Sequence, residues 1–378
     1  MLVSAFRAKH RDSIPARFSP LPRGLRFQPQ IWFHACSFGE VKSLEPLLNA
    51  LDSKPCTILI TTITHTGFRE AQRLCAKRQD SQIMVRYLPF EIFLPLWSRS
   101  LAHLQCLVVT EAEMWKMLFY LAKSHHAHTL LINARISERS LKSYQYFAWF
   151  YQGIFSLIDE VLAQSHIDKE RLEKLGARHI EVFGNLKTLN SPTLTATHIK
   201  PPLPIFCAAS THKGEEKLIL ESFHAIYKDT PHAPLLLIAP RHPERFKEVY
   251  EMAKTYFDTA LFSHSKLKGQ ARVIIIDTLG ELNNLYAISD VVILGGSFVD
   301  HVGGHNPLEP AFFHTKLISG EHIFNQYALF EEVQNYVLIP PQSLQDTLSR
   351  WQELPQSAIK SDSSHKLALL LQKIEYAS

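Results

Sequence analysis

Short apolar runs alternate with helix-forming stretches twice along this chain of 378 residues, and no other feature of the sequence constrains the fold as strongly. In the first half the apolar runs are residues 31–35, 57–61, 107–109, 130–132 and 160–163. In the second half they are residues 205–209, 235–238, 273–276 and 291–294. Strands that alternate with helices form parallel sheets covered by helices on both faces. The sequence therefore predicts an α/β protein with two doubly wound parallel-sheet domains that face a central cleft.

A proline-rich stretch, residues 191–204, separates the two series of runs. We predict a basic arm at 1–30, an N-terminal domain at 31–190, this linker, and a C-terminal domain at 205–378. The last helix has the alternative of packing back on the N-terminal domain. Ligands of doubly wound sheets bind beyond the carboxyl ends of the strands, so the loops that follow the apolar runs are the places to look for a site.

The arm carries an excess of positive charge. Six Lys and Arg residues stand there against one acid, Asp12, with apolar residues among them. Such segments bind anionic membrane surfaces, and a solvated arm without a partner is the equal alternative. No apolar run of about 18 residues is present, so no membrane-spanning helix is predicted. The net charge of +4 is too small to indicate a nucleic acid partner.

The string at residues 295–310 is the most specific local signal. Two glycine pairs after an apolar run allow the backbone to approach a ligand closely. Pro307 suits the start of a helix, whose free N–H groups attract anions. Asn306 precedes it, and Glu309 falls in the first turn, where its carboxylate can accept hydrogen bonds from sugar hydroxyls. The string indicates a nucleotide-sugar site, with a glycine-rich turn and helix cap as the alternative.

In the first half, Glu40 follows a strand across a short turn, where a carboxylate can act as a general base or simply complement a helix dipole. A hydroxyl-rich loop with Thr62 and Thr64 could bind sugar or phosphate, or cap the next helix. Arg135 and Glu111 each follow an apolar run, and ion pairing or structural hydrogen bonding remains open for both. The candidates for the acceptor side are Ser37, Gly39, Thr62, Thr64, Arg135, Glu111 and Lys187.

In the second half, several loops carry ligand-type residues directly after apolar runs. Ser210 and Thr211 can form a phosphate cradle or a capping box. Arg241 follows the next run and can meet phosphate or a base, while Gly280 and Glu281 can meet a nucleoside. Several strand ends with polar loops are hard to explain as caps alone. The donor-side candidates are Ser210, Thr211, Arg241, Gly280, Glu281, Asn306 and Glu309.

Metal and thiol chemistry are not predicted. The five cysteines lack CxxC spacing and are expected to be buried thiols in a reducing compartment. No HExxH, DxD or paired Cys/His spacing is present, and P-loop and GxGxxG motifs are absent as well. No cofactor or metal is therefore expected.

The same loops resemble the 3-deoxy-D-manno-octulosonic acid (Kdo) transferases of lipopolysaccharide synthesis. The matching strings keep the family's order from about residue 31 to residue 326, and together they are highly specific. They are residues 34–40, 87–90, 111–115, 133–140, 161–165, 184–187, 210–212, 240–246, 277–282 and 303–310. The final fifty residues match less clearly.

This resemblance implies a glycosyltransferase-B fold with two Rossmann-like domains. It implies a donor, CMP-Kdo, bound mainly by the second domain, and an acceptor, the lipid A precursor (lipid IVA), bound mainly by the first. Transfer would invert the anomeric centre without an essential metal, at the cytoplasmic face of the bacterial inner membrane. Glu40 falls at the family's general-base position, and the donor-side candidates fall on its CMP-contacting loops.

The chain departs from the family's pattern at three places, one of which is the segment 298–302 that leads to Gly303-Gly304-His305-Asn306. The family usually begins with an apolar membrane anchor, which is not seen here, so peripheral attachment or a missing anchor is expected. Leu279 stands where a Met is expected in the nucleoside loop. The alternative functions are another sugar enzyme of the same fold, such as a nucleotide-sugar 2-epimerase, and a catalytically silent lipid- or nucleotide-binding protein.

Overall fold

The computed structural model describes residues 13–18, 27–52, 55–76, 78, 82–360 and 362–375. The chain divides into two compact units. The first comprises Met1–Asn190 and Asp362–Ser378, and the second comprises Ser191–Ser361. Each unit is built on one seven-stranded sheet, which confirms the predicted α/β class with two doubly wound sheets. Most of the predicted basic arm, residues 1–12 and 19–26, lies outside the described residues.

The sheet of the first unit is entirely parallel. Its strands are β1 (Ile31–His34), β2 (Thr57–Thr62), β3 (Gln82–Tyr87), β4 (Cys106–Thr110), β5 (His128–Ala134), β6 (Glu160–Ala163) and β7 (Ile180–Val182). They pair in the order β3-β2-β1-β4-β5-β6-β7. Trp32 packs into the apolar layer on one face, while Ile31 and Phe33 pack into the layer on the other. Because both faces are covered, the central strands are continuous apolar runs.

Helices cover both faces of this sheet. They are α1 (Ser13–Arg17), α2 (Phe38–Ser43), α3 (Glu45–Leu51), α4 (His65–Ala76), α5 (Lys116–Ser124), α6 (Glu138–Tyr146), α7 (Ala148–Phe155) and α8 (His166–Lys174). Two 3₁₀ helices, Glu91–Leu101 and Leu186–Leu189, complete the set described between residues 13 and 190. The order of strands reverses between β1 and β4, which marks the switch point where ligands of such sheets bind.

The second unit repeats this plan. Its main strands are β8 (Ile205–Thr211), β9 (Leu235–Pro240), β10 (Thr259–Leu261), β11 (Val273–Ile275), β12 (Val291–Leu294) and β13 (Lys316–Gly320). The last strand of the sheet is β15 (Val337–Ile339). The strands before and after it in the chain, β14 (Val333–Gln334) and β16 (Ala358–Ile359), pair with each other as an antiparallel ribbon. The sheet order is β10-β11-β9-β8-β12-β13-β15, so the switch point lies between β8 and β12.

The helices of the second unit are short apart from the first two. They are α9 (Glu215–Tyr227), α10 (Phe246–Lys254), α11 (Phe262–Ser265), α12 (Leu282–Tyr286), α13 (Leu308–Phe312), α14 (Tyr327–Phe330) and α15 (Leu344–Ser349). Three 3₁₀ turns, Pro243–Arg245, Pro341–Ser343 and Trp351–Glu353, lie among them. The apolar layers of this sheet are again on both faces.

The last helix, α16 (Ser363–Glu375), is part of the first unit rather than the second. Leu370 and Ile374 are buried in the first unit's apolar layer. Lys373 Nζ lies 2.6 Å from the Glu160 carboxylate at the start of β6. Both ends of the described chain therefore belong to the first unit.

Arg17 was counted among the basic residues of the arm, yet its side chain is buried. Its Nε donates to the carbonyl of Leu88 at 3.0 Å, and its guanidinium lies 4.4 Å from the centre of the Phe90 ring. Arg17 is therefore not presented to a membrane surface. Among the helices of the described residues, none has the length and apolar character needed to cross a bilayer.

Candidate active site

Glu40 lies in the first turn of α2, just beyond the carboxyl end of β1. Its carboxylate accepts four hydrogen bonds. Oε2 accepts from Cys36 N at 2.9 Å and Thr110 Oγ1 at 2.8 Å, and Oε1 accepts from Ser37 N at 3.2 Å and Ser37 Oγ at 2.7 Å. Because Thr110 ends β4, the carboxylate bridges the two strands of the first switch point. Ser37 and Glu40 form the capping box that orients the side chain.

Three charged candidates for the acceptor side gather around this carboxylate. Glu111 follows β4 with φ at 56°, and Arg135 Nε lies 3.7 Å from its Oε2. Burial raises the pKa of Glu111, and the negative charge of Glu40 adds to that rise, while Arg135 and Lys187 oppose it. Arg135 and Lys187 are themselves exposed. The structure thus brings together two acids and two cations, a surface suited to an anionic, hydroxyl-bearing ligand.

The hydroxyl-rich loop after β2 serves as a helix cap. Thr64 Oγ1 donates to the Cys36 carbonyl at 2.7 Å and accepts from Gly67 N at 3.1 Å, which fixes the start of α4. Thr62 is fully buried, and its hydroxyl has no hydrogen-bond partner. Of the two alternatives that the sequence left open for this loop, the contacts of Thr64 match the helix cap. Gly39 is exposed, with open space where a Cβ would stand.

Three groups that the sequence analysis did not combine lie next to Glu40. His34 Nε2 is 3.7 Å from Cys36 Sγ, and the ligating atoms of these two residues and of Glu113 lie within 4.8 Å of one another. Burial lowers the pKa of His34 to about 3, so its imidazole is neutral. Burial raises the pKa of the Cys36 thiol, as do the carboxylates of Glu113 and Glu40. Burial also raises the pKa of Glu113, whose Oε2 accepts from Trp115 Nε1 at 2.7 Å.

In the second unit, the loops after β8 and β12 meet through two histidines. His212 Nε2 lies 2.8 Å from His305 Nε2, and the His242 ring centre is 5.3 Å from that of His212. Burial, with the neighbouring His212 and Arg241, lowers the pKa of His305 to about 4, and burial lowers that of His212 as well. One neutral imidazole therefore donates to the other. Sequence analysis did not single out these histidines, although each lies inside a string that it quoted.

A buried carboxylate fastens the same two loops together. Glu215, only 1% exposed, accepts four backbone N–H groups. Its Oε2 accepts from His212 N at 2.8 Å and Gly296 N at 2.7 Å, and its Oε1 accepts from Ser297 N at 3.1 Å and Phe298 N at 3.0 Å. The glycine loop is thus fixed to the end of β8 by one side chain.

Gly295 and three donor-side candidates lie near the same two loops, and the candidates differ in exposure. Gly295 passes so close to β8 that a Cβ would lie 2.6 Å from the Ser210 carbonyl oxygen, so only glycine fits. Ser210 is half-buried with φ at 55°. Thr211 is buried, and its hydroxyl donates to Glu216 at 2.9 Å, so it faces the interior rather than a ligand. Arg241 is exposed at the end of β9.

Glu281 lies in the predicted nucleoside loop, and its side chain contacts the linker. Its Oε2 lies 3.0 Å from His198 Nε2 and 2.9 Å from Asn284 Nδ2. Burial alone would raise the pKa of Glu281, but these hydrogen bonds outweigh it and lower the pKa. Gly280 is exposed with φ at 83°, a conformation that favours glycine.

Asn306 directly precedes Pro307, the N-cap residue of α13, and its side chain reaches the first turn of that helix. Its Oδ1 accepts from Leu308 N at 3.0 Å, and its Nδ2 donates to Glu309 Oε1 at 3.2 Å. Both side chains are half-buried. The predicted pair is therefore assembled beside the glycine loop, with Glu309 in the first helical turn.

Comparison with known proteins identifies closely related enzymes. A family model described as 3-deoxy-D-manno-octulosonic-acid transferase (kdotransferase) matches residues 12–190. The 3-deoxy-D-manno-octulosonic acid transferase of Haemophilus influenzae is 34% identical over 375 residues, covering 92% of this chain and 84% of the relative. The enzyme of the same description from Bordetella pertussis is 32% identical, covering 82% of this chain and 76% of the relative.

Solved structures of lower identity show the same fold. A UDP-GlcNAc 2-epimerase from Neisseria meningitidis, bound to UDP-GlcNAc, has a TM-score of 0.58 at 10% identity, covering 92% of this chain and 99% of that chain. A glycosyltransferase from Rickettsia africae has a TM-score of 0.52 at 14% identity, covering 93% of this chain and 92% of that chain. The shared architecture is the glycosyltransferase-B fold.

Proposed function

The chain belongs to the 3-deoxy-D-manno-octulosonic acid (Kdo) transferase family, and from this premise we propose which donor, acceptor and catalytic groups it uses. It is a glycosyltransferase of lipopolysaccharide synthesis, and the predicted resemblance is confirmed. The proposed donor is CMP-Kdo and the proposed acceptor is the lipid A precursor, lipid IVA. The observation that carries the proposal is the Glu40 carboxylate, which four hydrogen bonds hold at the first switch point.

Glu40 is proposed as the general base. Two of its four donors are hydroxyls, Ser37 Oγ and Thr110 Oγ1, whose protons can shift with the carboxylate. Ser37 is half-buried and caps α2, so its oxygen can accept a hydrogen bond from an incoming sugar hydroxyl while its own proton passes to Glu40. General bases need this kind of reach, either direct or through one bridging group. Arg135 and Lys187 supply positive charge for the phosphates of the acceptor.

The loops after β8, β9 and β12 are proposed to hold CMP-Kdo. Arg241 is an exposed cation of this group, and of the neutral His212 and His305 the ring that accepts the hydrogen bond keeps its Nδ1–H for a phosphate oxygen. Ser210, Gly280, Glu281, Asn306 and Glu309 are kept as proposed donor contacts. Thr211 and its buried hydroxyl would act through the loop backbone instead.

The reaction is proposed to be a direct, inverting displacement. The acceptor oxygen attacks the anomeric carbon of Kdo as the bond to CMP breaks, through an oxocarbenium-like state of the kind that glycosidases use. Inversion in one step needs a base but no enzyme nucleophile. Metal independence is part of the proposal: the departing phosphate is met by Arg241 and N–H groups. In the described residues, the grouping of three potential metal ligands lies in the first unit, at His34, Cys36 and Glu113.

Attachment to the membrane is proposed to be peripheral, at an anionic cytoplasmic surface. Exposed aromatic side chains stand at the junction of α6 and α7, with Tyr146 81% and Trp149 73% exposed. The exposed cation Lys142 lies on α6, and the exposed cation Lys116 lies at the start of the neighbouring helix α5. Aromatic rings with cations beside them suit the interface of an anionic bilayer.

The test is Kdo transfer from CMP-Kdo to lipid IVA by Glu40→Gln, followed by mass spectrometry of the lipid. We expect transfer to fall by about 10²–10⁴-fold, the usual contribution of a general base, while CMP binding stays at the wild-type level. The matched control is Glu70→Gln, since Glu70 is an equally buried acid of the first unit that pairs with Arg73. Near wild-type transfer by Glu40→Gln would refute the base assignment. Soluble sugar products formed without lipid would favour an epimerase, and unchanged CMP-Kdo would favour a silent binding protein.

A further inference from the structure

Three side chains with different metal-binding atoms converge beside Glu40. They are an imidazole, a thiol and a carboxylate, contributed by His34, Cys36 and Glu113, with their ligating atoms within 4.8 Å of one another. His34 ends β1, Cys36 follows it, and Glu113 lies beyond the end of β4, so the switch point of the sheet assembles them. Nitrogen, sulfur and oxygen ligands of this kind are those that zinc takes in proteins.

The hydrogen bonds around His34 permit the tautomer in which its Nε2 can act as a ligand. Thr61 Oγ1 accepts from Trp32 Nε1 at 2.9 Å and directs its one proton towards the Phe33 carbonyl at 3.4 Å. The same hydroxyl lies 2.9 Å from His34 Nδ1, and with its proton on the Phe33 carbonyl it accepts the Nδ1–H there. In that tautomer His34 Nε2 carries a lone pair, 3.7 Å from Cys36 Sγ. A second hydrogen bond of this type is what orients metal-bound histidines.

The spacing of the ligand atoms suits one small ion. Zn–N bonds of about 2.0–2.1 Å and Zn–S bonds of about 2.3 Å place nitrogen and sulfur about 3.5 Å apart across a tetrahedral site. His34 Nε2 and Cys36 Sγ are 3.7 Å apart. Glu113 is half-buried, and Trp115 holds its Oε2, so a modest rotation of the carboxylate is enough for it to reach the ion.

The charges that surround the three ligands favour a divalent cation. Burial and the carboxylates of Glu113 and Glu40 raise the pKa of the Cys36 thiol, and the guanidinium of Arg17 opposes them. Coordination would release the thiol proton to solvent and leave a thiolate, so that three negative groups face the ion and Arg17 together. No redox change is involved.

We propose that His34, Cys36 and Glu113 bind a thiophilic divalent cation of the zinc class, with water completing the coordination. Cys36 also donates its backbone N–H to Glu40 Oε2 at 2.9 Å. An ion that draws Cys36 toward His34 and Glu113 therefore alters the support of the Glu40 carboxylate. We therefore expect zinc to inhibit transfer, and this expectation rests on the proposed role of Glu40 as the general base.

Cobalt spectroscopy tests the site without any assay of transfer. Titration of the metal-free full chain with Co²⁺ is expected to produce thiolate-to-cobalt absorption at one ion per chain, and added Zn²⁺ is expected to abolish it. Cys36→Ser should remove this band, and Glu113→Gln, which can keep the Trp115 hydrogen bond, should weaken Co²⁺ binding at least tenfold. The control is Cys56→Ser, since Cys56 is a half-buried cysteine outside the group. A wild-type chain without the band, or a band that survives in Cys36→Ser, would overturn the proposal.

The link to catalysis is tested separately. Zn²⁺ at saturating concentration is expected to slow Kdo transfer at least tenfold in the wild type and in Cys56→Ser, and to leave the rate of Cys36→Ser at that variant's own metal-free value. If the cobalt band behaves as expected but zinc leaves wild-type transfer unchanged, the site stands and its connection to Glu40 is refuted. Equal inhibition of Cys36→Ser would mean that zinc acts elsewhere, which refutes the connection as well.

Discussion

Glu215→Gln is the substitution that most directly tests how the donor loops are held. The wild-type carboxylate offers two oxygens, each of which accepts two backbone N–H groups. Glutamine keeps the volume but supplies only one oxygen, and its NH₂ group must face two N–H donors. Two hydrogen bonds to a charged acceptor are lost, each worth about 1.5–3 kcal/mol.

The gross loss is therefore about 3–6 kcal/mol, and part of it is recovered. Burial raises the pKa of Glu215, which means that holding the charged carboxylate inside the protein costs free energy that a neutral amide does not. We expect a net fall of about 2–4 kcal/mol in the free energy of unfolding of the second unit. Since the loops would also shift, CMP affinity should fall at least tenfold.

Urea unfolding and calorimetric titration with CMP measure these two quantities. The control is Glu221→Gln on the same helix, because Glu221 is exposed and its contacts, an ion pair with Lys217 and a hydrogen bond from the Tyr256 hydroxyl, lie at the surface. It should change the unfolding free energy by no more than about 0.5 kcal/mol. If Glu215→Gln matches this control in both stability and CMP affinity, other contacts fix the glycine loop and the reasoning fails.

Three further predictions concern other parts of the molecule. Because the pKa of His305 is lowered to about 4 in the folded protein, the unfolded chain binds more protons between about pH 4 and 6.5. The free energy of unfolding should then fall as pH drops through that range, by less than the ~1.4 kcal/mol per pH unit that a difference of one whole proton would give. This slope should shrink in His305→Gln when unfolding is followed against pH. Replacing both Tyr146 and Trp149 with serine should reduce sedimentation with anionic vesicles and leave transfer to detergent-dispersed acceptor intact, whereas unchanged sedimentation would count against that surface. Gly295→Ala, which forces a Cβ against β8, should lower thermal stability and CMP binding together, and wild-type values for both would contradict the close approach.

The central strands could be predicted from the sequence because both faces of each sheet are covered. β1, β4, β8 and β12 are buried except at Ser210, and each contains an unbroken apolar run with any polar residues at its carboxyl end. The edge strands could not be identified in the same way. β3, β7 and β10 are largely half-exposed, and their mixed composition leaves no run to recognise.

Single residues of the site could be predicted where a local pattern positions them. Glu40 follows a strand and a short turn, which is enough to place it at the carboxyl end of the sheet. Its partner Thr110 could not be assigned, because the pairing depends on β4 lying beside β1. For the hydroxyls of Thr62 and Thr64 the sequence left ligand binding and helix capping open, since the composition of a loop does not tell which side chains face inward.

Each unit has a carboxylate at a helix start that accepts hydrogen bonds from the preceding loop, but the two carboxylates have different roles. In each, a carboxylate at a helix start turns back to accept N–H groups from the loop before it, Glu40 from Cys36 and Ser37, and Glu215 from His212. The hydrogen-bond donors of Glu215 and Glu40 distinguish the roles of the two carboxylates. All four donors to Glu215 are backbone amides, which cannot take up a proton, so that carboxylate can only hold loops in place. Glu40 instead has two hydroxyl donors and is 8% rather than 1% exposed, so a proton from outside has a path to it. This difference, rather than burial or position alone, is what makes Glu40 the candidate base.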